Sequence, residues 1–184
     1  MNPEDKTVDD AEARRLAELI SLDILDTEEE QAYDDLTRMA ATVCGVPIAL
    51  VSLIDGRRQW FKSRIGLQAT ETPREHAFCA HAIQQPDAVM VVADAREDHR
   101  FAANPLVTGE PSIRFYAGAP LVTSGGQALG TICVIDTEPR ALDATQLETL
   151  RFLARQVVQR LEERLDERRE ASVSLNPPTP PPRP

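Results

Sequence analysis

Between Arg58 and Asp136 the chain gathers its only tryptophan, all three histidines and two of its three cysteines. Four segments dominate this window: Arg58-Gln-Trp-Phe-Lys62, Phe78-Cys-Ala-His-Ala-Ile83, Arg114-Phe-Tyr-Ala-Gly118 and Gly130-Thr-Ile-Cys-Val-Ile-Asp136. Cys79 and His81 invite reading as a nucleophilic or redox pair. Two residues apart on a helix, however, their side chains point about 200° apart, which is poor geometry for a dyad. His76, Cys79 and His81 as three metal ligands match no usual zinc spacing, and only His76 and Cys79 share a helix face. The competing reading is a packed cysteine beside a hydrogen-bonded histidine.

Arg114 followed by Phe115 and Tyr116 places a guanidinium beside aromatic rings. That suits a small planar or anionic ligand through bidentate and cation–π contacts. An edge salt bridge from Arg114 to Asp136 is the alternative. Trp60 and Phe61 alternate faces on their strand, so one faces a core and the other a pocket rim. Cys44 and Cys133 sit among apolar neighbours and read as small buried groups. Nothing in the window forms an evident catalytic engine. The candidate ligand-binding set is Trp60, Phe78, Cys79, Arg114 and Tyr116, with no catalytic or metal-ligating residues.

The elements that must position these residues follow from periodicity. A helix is expected over about Asp10–Leu22, after a disordered stretch 1–9. Thr27-Glu-Glu-Glu30 has capping-box spacing for a second helix, which Gly45 ends. Strands are expected at 48–54, 59–65, 89–92, 115–122 and 128–136, the last two joined through Ser124-Gly-Gly126. A short helix over 76–84 and an irregular stretch 94–110 lie between them. Asp143 opens a long helix to about Arg169, with Gln146 in the capping-box position. Its stripe of Leu147, Leu150, Ala154, Val157 and Leu161 could face a second copy or its own sheet. Leu161 and Leu165 are expected to overhang the domain. The last eight residues hold six prolines and read as a disordered tail, 170–184.

The net charge of −10 is uneven: residues 1–35 carry 13 acids and 3 bases, and the rest is balanced. An acidic end disfavours nucleic acid and anionic membrane as partners. The chain lacks a run of 18 apolar residues and opens without signal-peptide character, so a cytoplasmic setting is expected. Three widely spaced cysteines are not a disulfide scaffold.

This element order, with Leu22-Asp-Ile-Leu-Asp-Thr27, Pro47-Ile-Ala-Leu-Val-Ser-Leu-Ile-Asp55, the four segments above, Val91-Val-Ala-Asp-Ala95 and Asn104-Pro-Leu-Val107, resembles a GAF domain. It looks most like the bacterial sensory subgroup found in front of histidine kinases and diguanylate cyclases. The resemblance covers about residues 14–165. It implies an α/β (α+β), three-layer α/β/α fold with a central antiparallel sheet of five or six strands, over residues 10–169. It also implies a small-molecule pocket on one sheet face and terminal helices that pair in a homodimer. The expected function is a non-catalytic sensory module in signal transduction, stand-alone or serving an output domain or partner protein. Two alternatives stay open. One is a dimerisation module with a vestigial pocket. The other is a reductase of free methionine sulfoxide, which would need a resolving thiol that the 94–110 stretch lacks.

Overall fold

The computed structural model describes residues 3–175, with side chains from residue 10 to residue 171. Two helices open the fold, α1 (Pro3–Ser21) and α2 (Gln31–Cys44). A hairpin follows, β1 (Ile48–Ile54) and β2 (Arg58–Ile65), then the short edge strand β3 (Glu71–Pro73). A 3-10 turn at Arg74–His76 leads into α3 (Phe78–Ala82), then β4 (Met90–Val92) and α4 (Pro105–Thr108). The second hairpin, β5 (Phe115–Val122) and β6 (Ala128–Asp136), and the long α5 (Ala144–Leu175) complete it.

All strand pairs are antiparallel, in the order β3-β2-β1-β6-β5-β4. Every residue of β1 and β6 is buried, because these central strands are covered on both faces. One face packs against α1, α2 and α5 through Leu19, Tyr33, Leu150, Leu153, Val157 and Leu161. The other face packs Leu50, Phe61, Tyr116 and Cys133 against Phe78, Phe101 and Val107. Each large apolar side chain so buried contributes about 1.5–3 kcal/mol against leaving it in water. The fold is therefore the expected three-layer α+β arrangement, with six strands.

Several boundaries differ from the sequence reading, each for a physical reason. α1 begins at Pro3 rather than Asp10; proline is well suited to a first turn. The capping box at Thr27 does not form. Thr27 Oγ1 instead donates to the Ile24 carbonyl and accepts from Lys62 Nζ, and α2 starts only after Glu30. Gly45 does end α2, in the left-handed conformation at φ 63°. Pro105 opens a turn rather than interrupting one: it stands at the first helical position behind Asn104, whose side chain accepts from Leu106 N. The Asp143–Gln146 capping box is present, with both reciprocal bonds at 2.8 and 3.0 Å. α5 continues past Arg169 to Leu175, and residues 176–184 of the proline-rich tail lie outside the described residues.

Leu161 does not overhang the domain. It is 1% exposed, and Leu165 packs partly buried on the same core. The segment between α1 and α2 supplies Leu22 and Ile24 to that core and so extends it beneath the end of α5. Leu150, Ala154, Val157 and Leu161 of the α5 stripe are thus consumed inside their own domain. Among the described residues, no helix is long and apolar enough to cross a membrane.

Candidate functional site

A cavity of about 480 Å3 opens on the sheet face opposite the long helices. Its floor is Ile48 and Leu50 of β1, Gln59 and Phe61 of β2, Tyr116 of β5 and Ile135 of β6. Its roof is Phe78 and Cys79 of α3, Leu106 of α4 and Ile113. The loop after β2, residues 66–69, with Glu110 and Pro111, forms the rim. This size falls in the range of small-molecule sites, which are mostly apolar with a few placed polar groups.

Phe78, Cys79 and Tyr116, three of the five expected residues, meet on this wall. The Phe78 ring lies 5.2 Å from Tyr116 and stacks on Phe101 at 4.0 Å. Gly118 makes room for Tyr116 to fold back: a Cβ there would sit 2.1 Å from the phenol oxygen. Trp60 is a correction. It points to the other face and packs in the core under the long helices, so its neighbour Phe61 is the aromatic group at the cavity. Alternation had left the parity of this pair open, and only the sheet's two-sided packing decides it.

Arg114 is the second correction. Its Nη1 donates to the carbonyls of Val107 and Ile113 at 2.9 and 3.0 Å, bracing the segment after α4. It does not line the cavity, and the salt bridge to Asp136 does not form either; Asp136 pairs with Arg140. Its charge is therefore not offered to a ligand.

Behind the wall lies a polar cluster that the sequence did not reveal. Cys79 Sγ accepts from Thr131 Oγ1 at 3.0 Å and from Tyr116 Oη at 3.3 Å, and stands 3.9 Å from Cys133 Sγ. Ser52 Oγ lies 4.0 Å from Cys133 Sγ. Burial alone would raise the Cys79 thiol, but donors from Cys133, Thr131 and Tyr116 outweigh it and hold the group below its ordinary value. Burial pushes Tyr116 and Cys133 the other way, well above theirs. The β5–β6 register places Cys133 opposite Gly118 and the β1–β6 register places it opposite Leu50, whereas Cys79 reaches it from α3.

His76, Cys79 and His81 diverge. His81 meets the Phe101 ring edge-on at 4.9 Å, and His76 lies 3.6 Å from Glu75. Among the described residues no group of three His, Cys, Asp or Glu side chains forms a metal site.

The family model of the GAF domain matches residues 28–161. A cyclic di-GMP phosphodiesterase of Pseudomonas aeruginosa is 44% identical over 151 residues, 82% of this chain, but the match spans only 26% of that relative's length. Among solved structures, the GAF domain of an Acinetobacter phosphoenolpyruvate-protein phosphotransferase aligns at TM-score 0.58 and 16% identity, covering 98% of this chain and all of that one. A free methionine-R-sulfoxide reductase of Neisseria meningitidis, solved with its substrate, aligns at TM-score 0.55 and 22% identity over 86% of this chain and 90% of that one. At such identities the structural likeness speaks for the fold alone. With the sheet order, the two-faced packing and a family match over most of its length, the chain belongs to the GAF domain family.

Proposed function

We propose that this chain is a non-catalytic sensory module that binds a small molecule in the cavity beneath α3 and α4 and passes the event to α5. The cavity itself carries the reading: about 480 Å3, largely apolar, walled by rigid strands on one side and by short loop-borne helices on the other. A route outward supports it. Gln59 and Phe61 face the cavity, and the next residue, Lys62, is clamped to Glu30, which also holds Arg164 of α5. An output of cyclic di-GMP turnover, in the same protein or in a signalling partner, is suggested by the relative's name, though that activity is the relative's own. The same proposal places the module in the cytoplasm, where Cys44, Cys79 and Cys133 stay as free thiols.

Native mass spectrometry of protein purified from cells tests the reading. A retained small molecule is expected in the wild type and absent in Ile113→Trp, which fills the cavity. Retention unchanged in that variant contradicts it. Self-association through the terminal helices belongs to the proposal as well. It must use outward residues such as Ile20 of α1 and Phe152 of α5, which are 69% and 48% exposed.

One observation favours a second reading, reduction of free methionine sulfoxide. Cys79 on the cavity wall has a second thiol, Cys133, 3.9 Å away. Attack of the Cys79 thiolate on the sulfoxide sulfur, then displacement by Cys133, would yield a disulfide, methionine and water. Turnover with a dithiol that vanishes in Cys79→Ser would establish it; no turnover would dismiss it.

A further inference from the structure

We propose that the cavity takes a neutral or cationic planar aromatic ligand bearing a hydrogen-bond donor, which Gln59 receives. The proposal rests on the small-molecule reading above and names the chemistry of its ligand.

The charge of the wall comes first. No lysine or arginine side chain among the described residues lines the cavity, and the rim residue Glu110 is its single charged group. Arg114, the guanidinium that could have received an anion, is committed to the Val107 and Ile113 carbonyls. An anion entering such an enclosure loses water and gains no counter-charge, which is strongly unfavourable. A cation meets Glu110 at the mouth and aromatic faces within.

Gln59 supplies the second observation. It is 5% exposed, stands on the cavity floor, and donates from Nε2 to Thr72 Oγ1 at 3.2 Å. Its Oε1 has no hydrogen-bond partner among the described residues. Buried carbonyl oxygens are nearly always paired, because leaving one unpaired forfeits its hydration. A ligand N–H or O–H next to Gln59, with a small rotation of the amide, would complete the set.

The Tyr116 hydroxyl on the wall and the Thr131 hydroxyl behind it both bond to Cys79 Sγ, so neither is offered to an acceptor-rich ligand. The faces of Phe61, Phe78 and Tyr116 on the same wall suit a flat aromatic body.

Fluorescence titration of the full chain with three probes tests this: norharmane, a tricyclic indole; its indole-N-methyl derivative; and its ring carboxylate. Norharmane is expected to bind, and the other two to bind about tenfold or more weakly. Gln59→Leu should erase the gap between norharmane and the N-methyl derivative, and Gln59→Glu, which keeps an acceptor, should preserve it. Thermal unfolding shows whether these variants fold, and the comparison on the wild-type chain stands without them. Equal binding of the N-methyl derivative, or tighter binding of the carboxylate, overturns the donor assignment and leaves the small-molecule reading intact. Failure of all three to bind also overturns it. The small-molecule reading itself stands or falls separately, on the retained-ligand mass spectra.

Discussion

Glu30 Oε1 accepts from Lys62 Nζ at 2.7 Å and from Arg164 Nη1 at 2.9 Å, so one carboxylate ties the sheet to the last helix. Lys62 shares the helical face with Trp60, two residues before it, and stands at a bulge. Val51 pairs with Ser63 and Ser52 with Phe61, leaving Lys62 unpaired between them. The extra residue turns Ser63 to the same face as Lys62, where Ser63 Oγ donates to Asp34 on α2 at 2.6 Å. The Lys62 side chain is 0% exposed, and its ammonium also meets Thr27 Oγ1 and the Glu28 carbonyl.

A buried ammonium stripped of its carboxylate is costly, whereas an apolar replacement of the lysine is not. Glu30→Ala should therefore destabilise the chain by about 3 kcal/mol, and Lys62→Met by no more than about 1 kcal/mol. Urea unfolding of the two variants measures this directly. Equal losses would mean that the pair works as a net attraction rather than as compensation for a buried charge.

Much of the architecture was legible because local signals and global packing agree. β1, β5 and β6 are runs of apolar residues bounded by turns, and the Asp143–Gln146 box marks the start of α5. The misread places are those where a distant partner overrides a local motif. Thr27 was claimed by Lys62, 35 positions on, so its capping box did not form. Arg114 was claimed by carbonyls of the α4 segment. β3 carries too few residues for any period to show. Within the candidate site, Phe78, Cys79 and Tyr116 were readable, whereas Gln59 and Phe61 depended on strand parity that only two-sided packing sets.

Arg114→Ala should act on structure rather than on anion binding. Two carbonyl acceptors lose their donor, so a loss of about 1–2 kcal/mol is expected. Hydrogen exchange over residues 105–113 should speed up while the amides of β1 and β6 keep their protection. Unchanged exchange there would remove the bracing role.

Glu12 gives a pH signature. Hydrogen bonding to Arg15 is the main cause of a pKa lowered to about 2 from an ordinary 4.5, with Arg74 adding to it. A depressed carboxylate stabilises the fold above its unfolded pKa, and that stabilisation fades as pH falls through the folded value. Glu12→Gln should therefore be less stable than wild type at neutral pH, by no more than about 1 kcal/mol because solvent screens the group. The two proteins should converge as the solution approaches the lowered pKa. A gap that persists in acid would assign the effect to packing.

Self-association, if built on α1 and α5, cannot use the buried Leu150–Leu161 stripe. Sedimentation at micromolar concentration should give a dimer mass, and Phe152→Glu should shift it to monomer. A dimer unaffected by that change places the interface elsewhere, and a wild-type monomer removes it.

The central claim is that the cavity beneath α3 and α4 is where this protein takes a small molecule. Amide correlation spectra recorded while a fragment library is screened test it most directly. The account predicts that binding fragments shift the signals of Phe61, Phe78, Cys79 and Tyr116 together. Shifts confined to other surfaces, such as the groove between Pro86, Val122 and Arg155, would contradict it.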